Sequence, residues 1–382
     1  MTDGGGTANH GSRGPLLLTP GPLTTSATVK QAMVRDWGSR DDGFIALTRS
    51  VRDTLTGLAG GRGTHTTVPL QGSGTFAVEA MLGTFVPPNG AVLVAANGQY
   101  GRRMAEICGR IGRTVMVDEV PFHRPLDADA IGRRLDADPA IGHVAVVHCE
   151  TTTGILNPLE DIAAVVAQHG RRLLVDGMSA FGALPVDAAV VPFDALAASA
   201  NKCLQGVPGL GFVICREAAL SDAAGNAPSL SLDLHDQWRG FEANGQWRFT
   251  PPTQVLASLA QALQELANEG GPPGRLDRYR QSCAVLTDGM AALGFRPYLA
   301  PAVQAPIIVT FHMPGHPRFE FDRFYGGLKD RGFVIYPGKL TNEATFRVGC
   351  IGDVNADDMR AFLAAVTAVL TADGIDLRVG VR

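Results

Sequence analysis

What is missing from this 382-residue chain narrows it first. Its six cysteines (Cys108, Cys149, Cys203, Cys215, Cys283, Cys350) include no CxxC pair and no cluster with histidine at ligand spacing. Neither a disulfide framework nor a structural metal site is therefore expected, and buried free thiols in a reducing cytosol fit better. No apolar run reaches the ~18 residues of a membrane span. An excess of one charge is also absent: 33 Lys and Arg against 37 Asp and Glu leave a net charge of −4. That argues against a nucleic-acid binder working by phosphate neutralisation. The 46 glycines and 24 prolines show no triplet period, so they mark turns and close backbone approaches, not collagen. The opening stretch MTDGGGTANHGSRG lacks the basic start and apolar core of a signal peptide. Residues 1–14 are expected to be a disordered tail on a soluble, cytoplasmic protein that binds no membrane.

What is present is ample core material. Hydrophobic residues make up 45% of the chain and charged residues 18%, enough for one large domain and a smaller one. From Leu16 to about residue 215, short apolar runs alternate with amphipathic stretches. THTTVPLQ (64–71), AVLVAANG (91–98), TVMVDEV (114–120), HVAVVHCE (143–150), RRLLVDGM (171–178) and ALAASA (195–200) read as strands. Thr75 to Val86, Tyr100 to Ile111 and LEDIAAVVAQHG (159–170) read as helices. Near-continuous apolar strands separated by helices predict an α/β fold, a mostly parallel sheet covered on both faces. Ligands in such sheets gather at the C-terminal strand ends, where Asn97, Glu150, Thr151 and Asp176 fall. EGGPPG at 269–274 is a strong breaker and marks the boundary between a large domain, 15–269, and a small α+β domain, 270–382.

Three features carry chemistry. Lys202 follows the apolar strand ALAASA, and desolvation there would lower its pKa and supply a neutral nucleophilic amine. Asp176, 26 residues upstream, ends the strand RRLLVDGM and could keep a pyridinium nitrogen protonated, or merely cap the next element. Gly72-Ser73-Gly74-Thr75 joins a strand to a helix, a ready phosphate cradle, although it lacks the GxGxxG dinucleotide fingerprint. His65 and His148 have no partner spacing. Cys350, three residues past Arg347, reads as a packing residue.

The chain resembles the fold-type I, class V aminotransferases that depend on pyridoxal 5′-phosphate (PLP). The carrying segments are LLLTPGPLTTS (16–26), RDWGSRD (35–41), LQGSGTFAVEA (70–80), NGQYG (97–101), HCETTTGILNP (148–158), VDGMSAFG (175–182), SANKCLQGVPG (199–209), SLDL (231–234), WRFTPPT (247–253), GFVIYPGK (332–339) and FRVGCIG (346–352). The resemblance implies that Lys202 carries the cofactor covalently, that Asp176 pairs with its ring nitrogen and that Tyr100 stacks on the ring. It places Ser73, Gly74, Thr75 and Ser199 around the cofactor, with Thr151 on its phenolic oxygen. Thr250 and the Trp247 indole would reach the phosphate from a second subunit, implying a homodimer with shared sites. Arg347 would bind the acidic group of the substrate. The segments RDWGS, ETTTGILNP and SANKCLQGVPG suggest the phosphonate branch, with 2-aminoethylphosphonate and pyruvate as substrates. An alanine– or serine–glyoxylate aminotransferase, sharing every cofactor residue, is the alternative.

Overall fold

The computed structural model describes residues 14–340 and 343–378, so the expected tail lies almost wholly outside the described residues. Seven strands form the central sheet: β1 (His65–Gln71), β2 (Ala91–Ala96), β3 (Thr114–Glu119), β4 (Ile141–Val147), β5 (Arg172–Asp176), β6 (Ala195–Ser199) and β7 (Leu210–Arg216). Their spatial order is β1-β7-β6-β5-β4-β2-β3. β7 runs antiparallel to β1 and β6, and the remaining neighbours pair in parallel. Every residue of β2 and β6 is buried, as strands covered on both faces require.

Alternation along the strands divides the core into two layers. Leu93 and Ala95 of β2 face one layer, while Val92, Val94 and Ala96 face the other. The first layer receives Phe44, Val51 and Leu55 of α1 (Asp42–Leu58). It also takes in Leu256, Leu259 and Leu263 of a later helix, Thr253–Asn268. The second receives Met81, Leu82 and Phe85 of α2 (Gly74–Phe85) and Met104 and Ile107 of α3 (Gln99–Arg110). The fold-type expectation of a mostly parallel sheet with helices on both faces is met.

The corner at residues 269–271 is tighter than a linker. The helix Thr253–Asn268 ends and α4 (Gly271–Ala292) begins almost at once, with the prolines of GGPPG in its first turn. Proline is tolerated there because the first helical N–H groups have no intrahelical acceptor. Beyond it, β8 (Ile308–His312), β9 (Tyr336–Pro337) and β10 (Thr345–Gly349) form an antiparallel sheet in the order β8-β10-β9. A third core gathers here, and it includes Leu16 and Leu18. The strand Leu16–Leu17 pairs in parallel with Phe333–Val334. The first strand therefore packs with the C-terminal unit, whereas the sequence reading grouped everything from residue 15 with the large domain. Local sequence could not show this, because the pairing spans more than 300 residues.

Phe346 anchors that third core, with the rings of Phe295 and Phe311 at 5.6 Å and Phe324 at 5.7 Å. Phe346→Ala should destabilise the protein by about 3–5 kcal/mol through cavity formation. Chemical denaturation checks this; a loss under 1 kcal/mol would mean the aromatic cluster repacks freely.

Candidate active site

A cavity of 450 Å³ opens at the C-terminal ends of the parallel strands, where such sheets place their ligands. Among its walls are Ser73, Gly74, Thr75, Tyr100, Thr151, Asp176, Ser199 and Lys202, which the sequence reading had named separately. Lys202 follows β6, and its Nζ donates to the Pro20 carbonyl at 2.5 Å. Burial pushes its pKa down, against the opposing pull of Tyr100, Cys203 and Asp176. The neighbouring Gly21 has φ of +116°, and a Cβ there would lie 2.9 Å from Nζ, so glycine is required on both counts. Behind the lysine, Gln205 adopts φ of +63° and donates from Nε2 to Tyr279 Oη at 2.6 Å and to the Gly352 carbonyl at 2.7 Å. Arg275 of α4 holds the Cys203 carbonyl at 2.8 Å. The lysine turn is thus tied to the C-terminal unit.

Asp176 ends β5, and its Oδ1 accepts the Met178 N–H at 2.9 Å. Burial, only partly offset by that bond, pushes its pKa up to about 6. Ser73 stands at the N-cap of α2, yet its side chain makes no capping bond. Its hydroxyl and the helix-start amides are free for an anion. Ser199 Oγ is buried without a hydrogen-bond partner, an orphan that a ligand oxygen would satisfy. Thr151 Oγ1 and Ser179 Oγ share a hydrogen bond of 2.6 Å.

Tyr100 is held by its helix. Glu150 Oε2 accepts the N–H groups of Tyr100 and Gly101, both at 3.2 Å, and Oε1 accepts from the Thr152 N–H at 2.9 Å and hydroxyl at 2.6 Å. This fully buried carboxylate caps α3, and burial raises its pKa. A Cβ on Gly98 would lie 2.2 Å from the Glu150 carboxyl carbon, so residue 98 must be glycine for the cap to seat. Arg103, one turn along α3, lies 4.9 Å from the Tyr100 ring centroid and donates to Thr75 Oγ1 at 3.3 Å. Lys339 Nζ donates to Tyr100 Oη at 3.1 Å. Burial alone would raise the phenol pKa, but the charges of Lys202, Lys339 and Arg347 outweigh it and the net shift is downward.

Arg347 lies buried in β10 at the Tyr100 side of the cavity. Nε donates to the Pro337 carbonyl at 3.1 Å and Nη1 to the Thr151 carbonyl at 3.2 Å. It forms no salt bridge with any carboxylate among the described residues, and burial lowers its pKa. Trp247 and Thr250 do not reach the cavity within one chain. The Trp247 N–H donates to Thr48 Oγ1 at 3.2 Å, which occupies the donor that the resemblance assigned to a phosphate. Thr250 is exposed, in a surface hollow beside Phe76 and Phe249. His65 bonds to Thr64 and the Phe193 carbonyl, and Cys350 is buried in the C-terminal core.

The loop 19–22, which the sequence places at the mouth of the site without a catalytic role, supplies Pro20 and Pro22 there, whereas Arg103, Lys339 and Ser179 are given no role by the sequence. Arg103 had a usable signal, since it follows Tyr100 at i+3 on one helix face. Lys339 sits on a loop brought in from distant sequence, which leaves no such sign.

A strand-end lysine and aspartate beside an open helix N-terminus, on a seven-stranded sheet of this order, define the class. Residues 26–325 match the family described as aminotransferase class-V, and the chain belongs to that family. Within it, the chain is 56% identical over 356 residues to a protein of Pseudomonas fluorescens named 2-aminoethylphosphonate–pyruvate transaminase, covering 93% of this chain and 96% of the relative. A Pseudomonas putida protein of the same name is also 56% identical, with 94% and 98% covered. Among solved structures, pyridoxamine–pyruvate aminotransferase from Mesorhizobium loti superposes with TM-score 0.87 at 25% identity, covering 97% of this chain and 95% of its own. Alanine–glyoxylate aminotransferase from Nostoc shares the fold, with TM-score 0.88 at 23% identity and coverage of 96% and 97%.

The raised Asp176 pKa has a consequence for the ligand-free protein. The folded state binds a proton there up to about pH 6, whereas the unfolded chain releases it near 3.8. Stability therefore falls as pH rises through that window, by on the order of 3 kcal/mol. Asp176→Asn should stabilise the ligand-free protein at pH 7, and the gain should shrink toward pH 4. Urea midpoints across pH 4–8 check this; a variant less stable than the parent at pH 7 would contradict it.

Proposed function

We propose that the protein is a homodimeric, PLP-dependent transaminase that moves the amino group of 2-aminoethylphosphonate to pyruvate, giving phosphonoacetaldehyde and L-alanine. The observation that carries this is the convergence of desolvated Lys202, buried Asp176 and the uncapped helix start at Ser73 in one cavity, in a chain 56% identical to transaminases of that name. The residues present fit the cofactor. Ser199 has an unpaired hydroxyl, Ser73 leaves its own uncommitted, and Asp176 Oδ2 has no hydrogen-bond partner among the described residues.

When bound, PLP supplies an electron sink that acidifies the C–H bond beside the substrate amine. The protein's own groups do the rest. Lys202, whose amine burial shifts toward the neutral form, takes that proton on Nζ and later returns it, as base and then acid. Asp176 keeps the ring nitrogen protonated, and Tyr100 packs on the ring face. Ser73, Gly74 and Thr75 hold the phosphate, with the Arg103 charge alongside, and Thr151 donates to the phenolic oxygen. Arg347 binds the substrate's acidic end, since the amine carbon of aminoethylphosphonate bears no carboxylate and recognition must come from the far group. A planar two-pronged donor suits either acid that enters in turn.

A second copy would bring Thr250 to the phosphate; the half-exposed rings of Phe76 and Phe249 beside it support a buried contact there. The six buried free thiols fit a reducing compartment, which supports a cytoplasmic location.

The visible spectrum of the PLP-loaded protein tests the reading. Aminoethylphosphonate alone should discharge the cofactor band, and pyruvate should restore it. Discharge only by alanine or serine, reversed by glyoxylate, would move the protein to the glyoxylate branch with the cofactor residues intact. Lys202→Ala should stop turnover, lowering it by at least three orders of magnitude. Arg347→Ala should raise KM for both acids, measured in the two half-reactions separately.

A further inference from the structure

We propose that Lys339 is a second cationic anchor for the substrate phosphonate and, with Arg347, lets the site distinguish a phosphonate from a carboxylate; this rests on the aminoethylphosphonate reading above. A phosphonate, like a phosphate monoester, has a second ionisation within reach of neutral pH, so it carries more than one negative charge there and offers three acceptor oxygens. A carboxylate carries one charge and two oxygens. One guanidinium balances the carboxylate but leaves a substantial fraction of the phosphonate charge uncompensated. In a buried setting that remainder is costly unless another cation meets it.

The cations around the cavity are otherwise committed. Lys202 donates to Pro20, and Arg103 bonds Thr75 at the helix start. Lys339 is half-buried and forms no ion pair with a carboxylate among the described residues. Its ammonium lies 4.7 Å from the Tyr100 ring centroid and 3.1 Å from Tyr100 Oη. The Arg347 charge also acts on that phenol, while its guanidinium donates to the Pro337 and Thr151 carbonyls. Two positive groups thus lie beside the Tyr100 phenol, and neither forms a salt bridge with a carboxylate among the described residues.

The hairpin fixes this convergence. Tyr336 of β9 lies opposite Arg347 of β10, Pro337 opposite Phe346, and the Gly338 N–H bonds the Thr345 carbonyl at 2.8 Å. Lys339 leaves the ladder one residue later and turns back over Tyr100. A dianionic group held by Arg347 would draw the Lys339 ammonium from the neutral phenol to a charged acceptor, a stronger bond.

The test uses the PLP-loaded enzyme as parent, Lys339→Met and Lys339→Arg. The ratio of kcat/KM for aminoethylphosphonate to that for alanine should fall at least tenfold in Lys339→Met, chiefly through KM, and recover most of its value in Lys339→Arg. Competition by ethylphosphonate and propionate, which lack the amine and cannot react, gives a binding readout. Lys339→Met should weaken ethylphosphonate at least tenfold more than propionate. If Lys339 only braces Tyr100, both substrates and both competitors will weaken by the same factor, and the proposal fails. If the parent ignores aminoethylphosphonate while accepting another amino donor, the functional reading fails instead; the two competitors then still report whether Lys339 favours the phosphonate.

Discussion

The buried amine of Lys202 is the constraint around which the rest of the molecule is arranged. A buried amine needs at least one hydrogen-bond acceptor, and the Pro20 carbonyl provides it. Pro20 is in place only because the chain before it pairs with the far end of the sequence. Leu16–Leu17 lies beside Phe333–Val334, the Gly349 N–H bonds the Leu18 carbonyl at 3.0 Å, and the Asp353 N–H bonds the Thr24 carbonyl at 2.8 Å. From the other side, Gln205 and Arg275 tie the lysine turn to α4 and to Gly352. The reactive lysine thus belongs to the large sheet by sequence but is braced by the C-terminal unit. A change deep in the C-terminal core could therefore disturb the site without touching it.

Charge is distributed with equal economy. Positive groups gather around the Tyr100 ring, with Arg103 and Lys339 4.9 and 4.7 Å from its centroid and Arg103 also bonded to Thr75 at the helix start. The anionic groups, Asp176 and Glu150, are buried and already engaged with backbone N–H donors. Such a field favours an anionic ligand. A cofactor phosphate and a substrate acid both match this pattern.

Much of this was legible in the sequence. The strands of the central sheet whose apolar runs stood out, from THTTVPLQ to ALAASA, fall within a few residues of expectation because unbroken burial on two faces writes itself as continuous apolar sequence. Several residues that line the cavity were legible because they sit at strand ends next to turns. Less visible was whatever depends on distant pairing. β7 reverses direction against β1 and β6, and Leu16 joins a core more than 260 residues away. Glu150 stood at a strand end in the sequence, but its role as the cap of α3 exists only once Gly98 lets the helix close over it. The Trp247 indole shows the limit of resemblance: its motif matched, while its N–H turned inward to Thr48.

The pKa shifts at Asp176 and Lys202 are opposite in sign and share one cause. Burial disfavours the charged form of each, so the carboxyl is pushed up and the amine down. In the ligand-free protein both are therefore liabilities, groups kept away from the state they would hold in water. A bound pyridine nitrogen would give Asp176 a cationic partner, and Lys202 would gain a ligand partner for its buried amine. The cost the fold carries at each residue is then recovered as cofactor affinity, because anything that binds only the folded state stabilises it. Under the proposed function, the same desolvation would shift Lys202 toward the neutral amine that amino transfer uses. Stability and function are coupled here through two side chains at the ends of adjacent strands, β5 and β6.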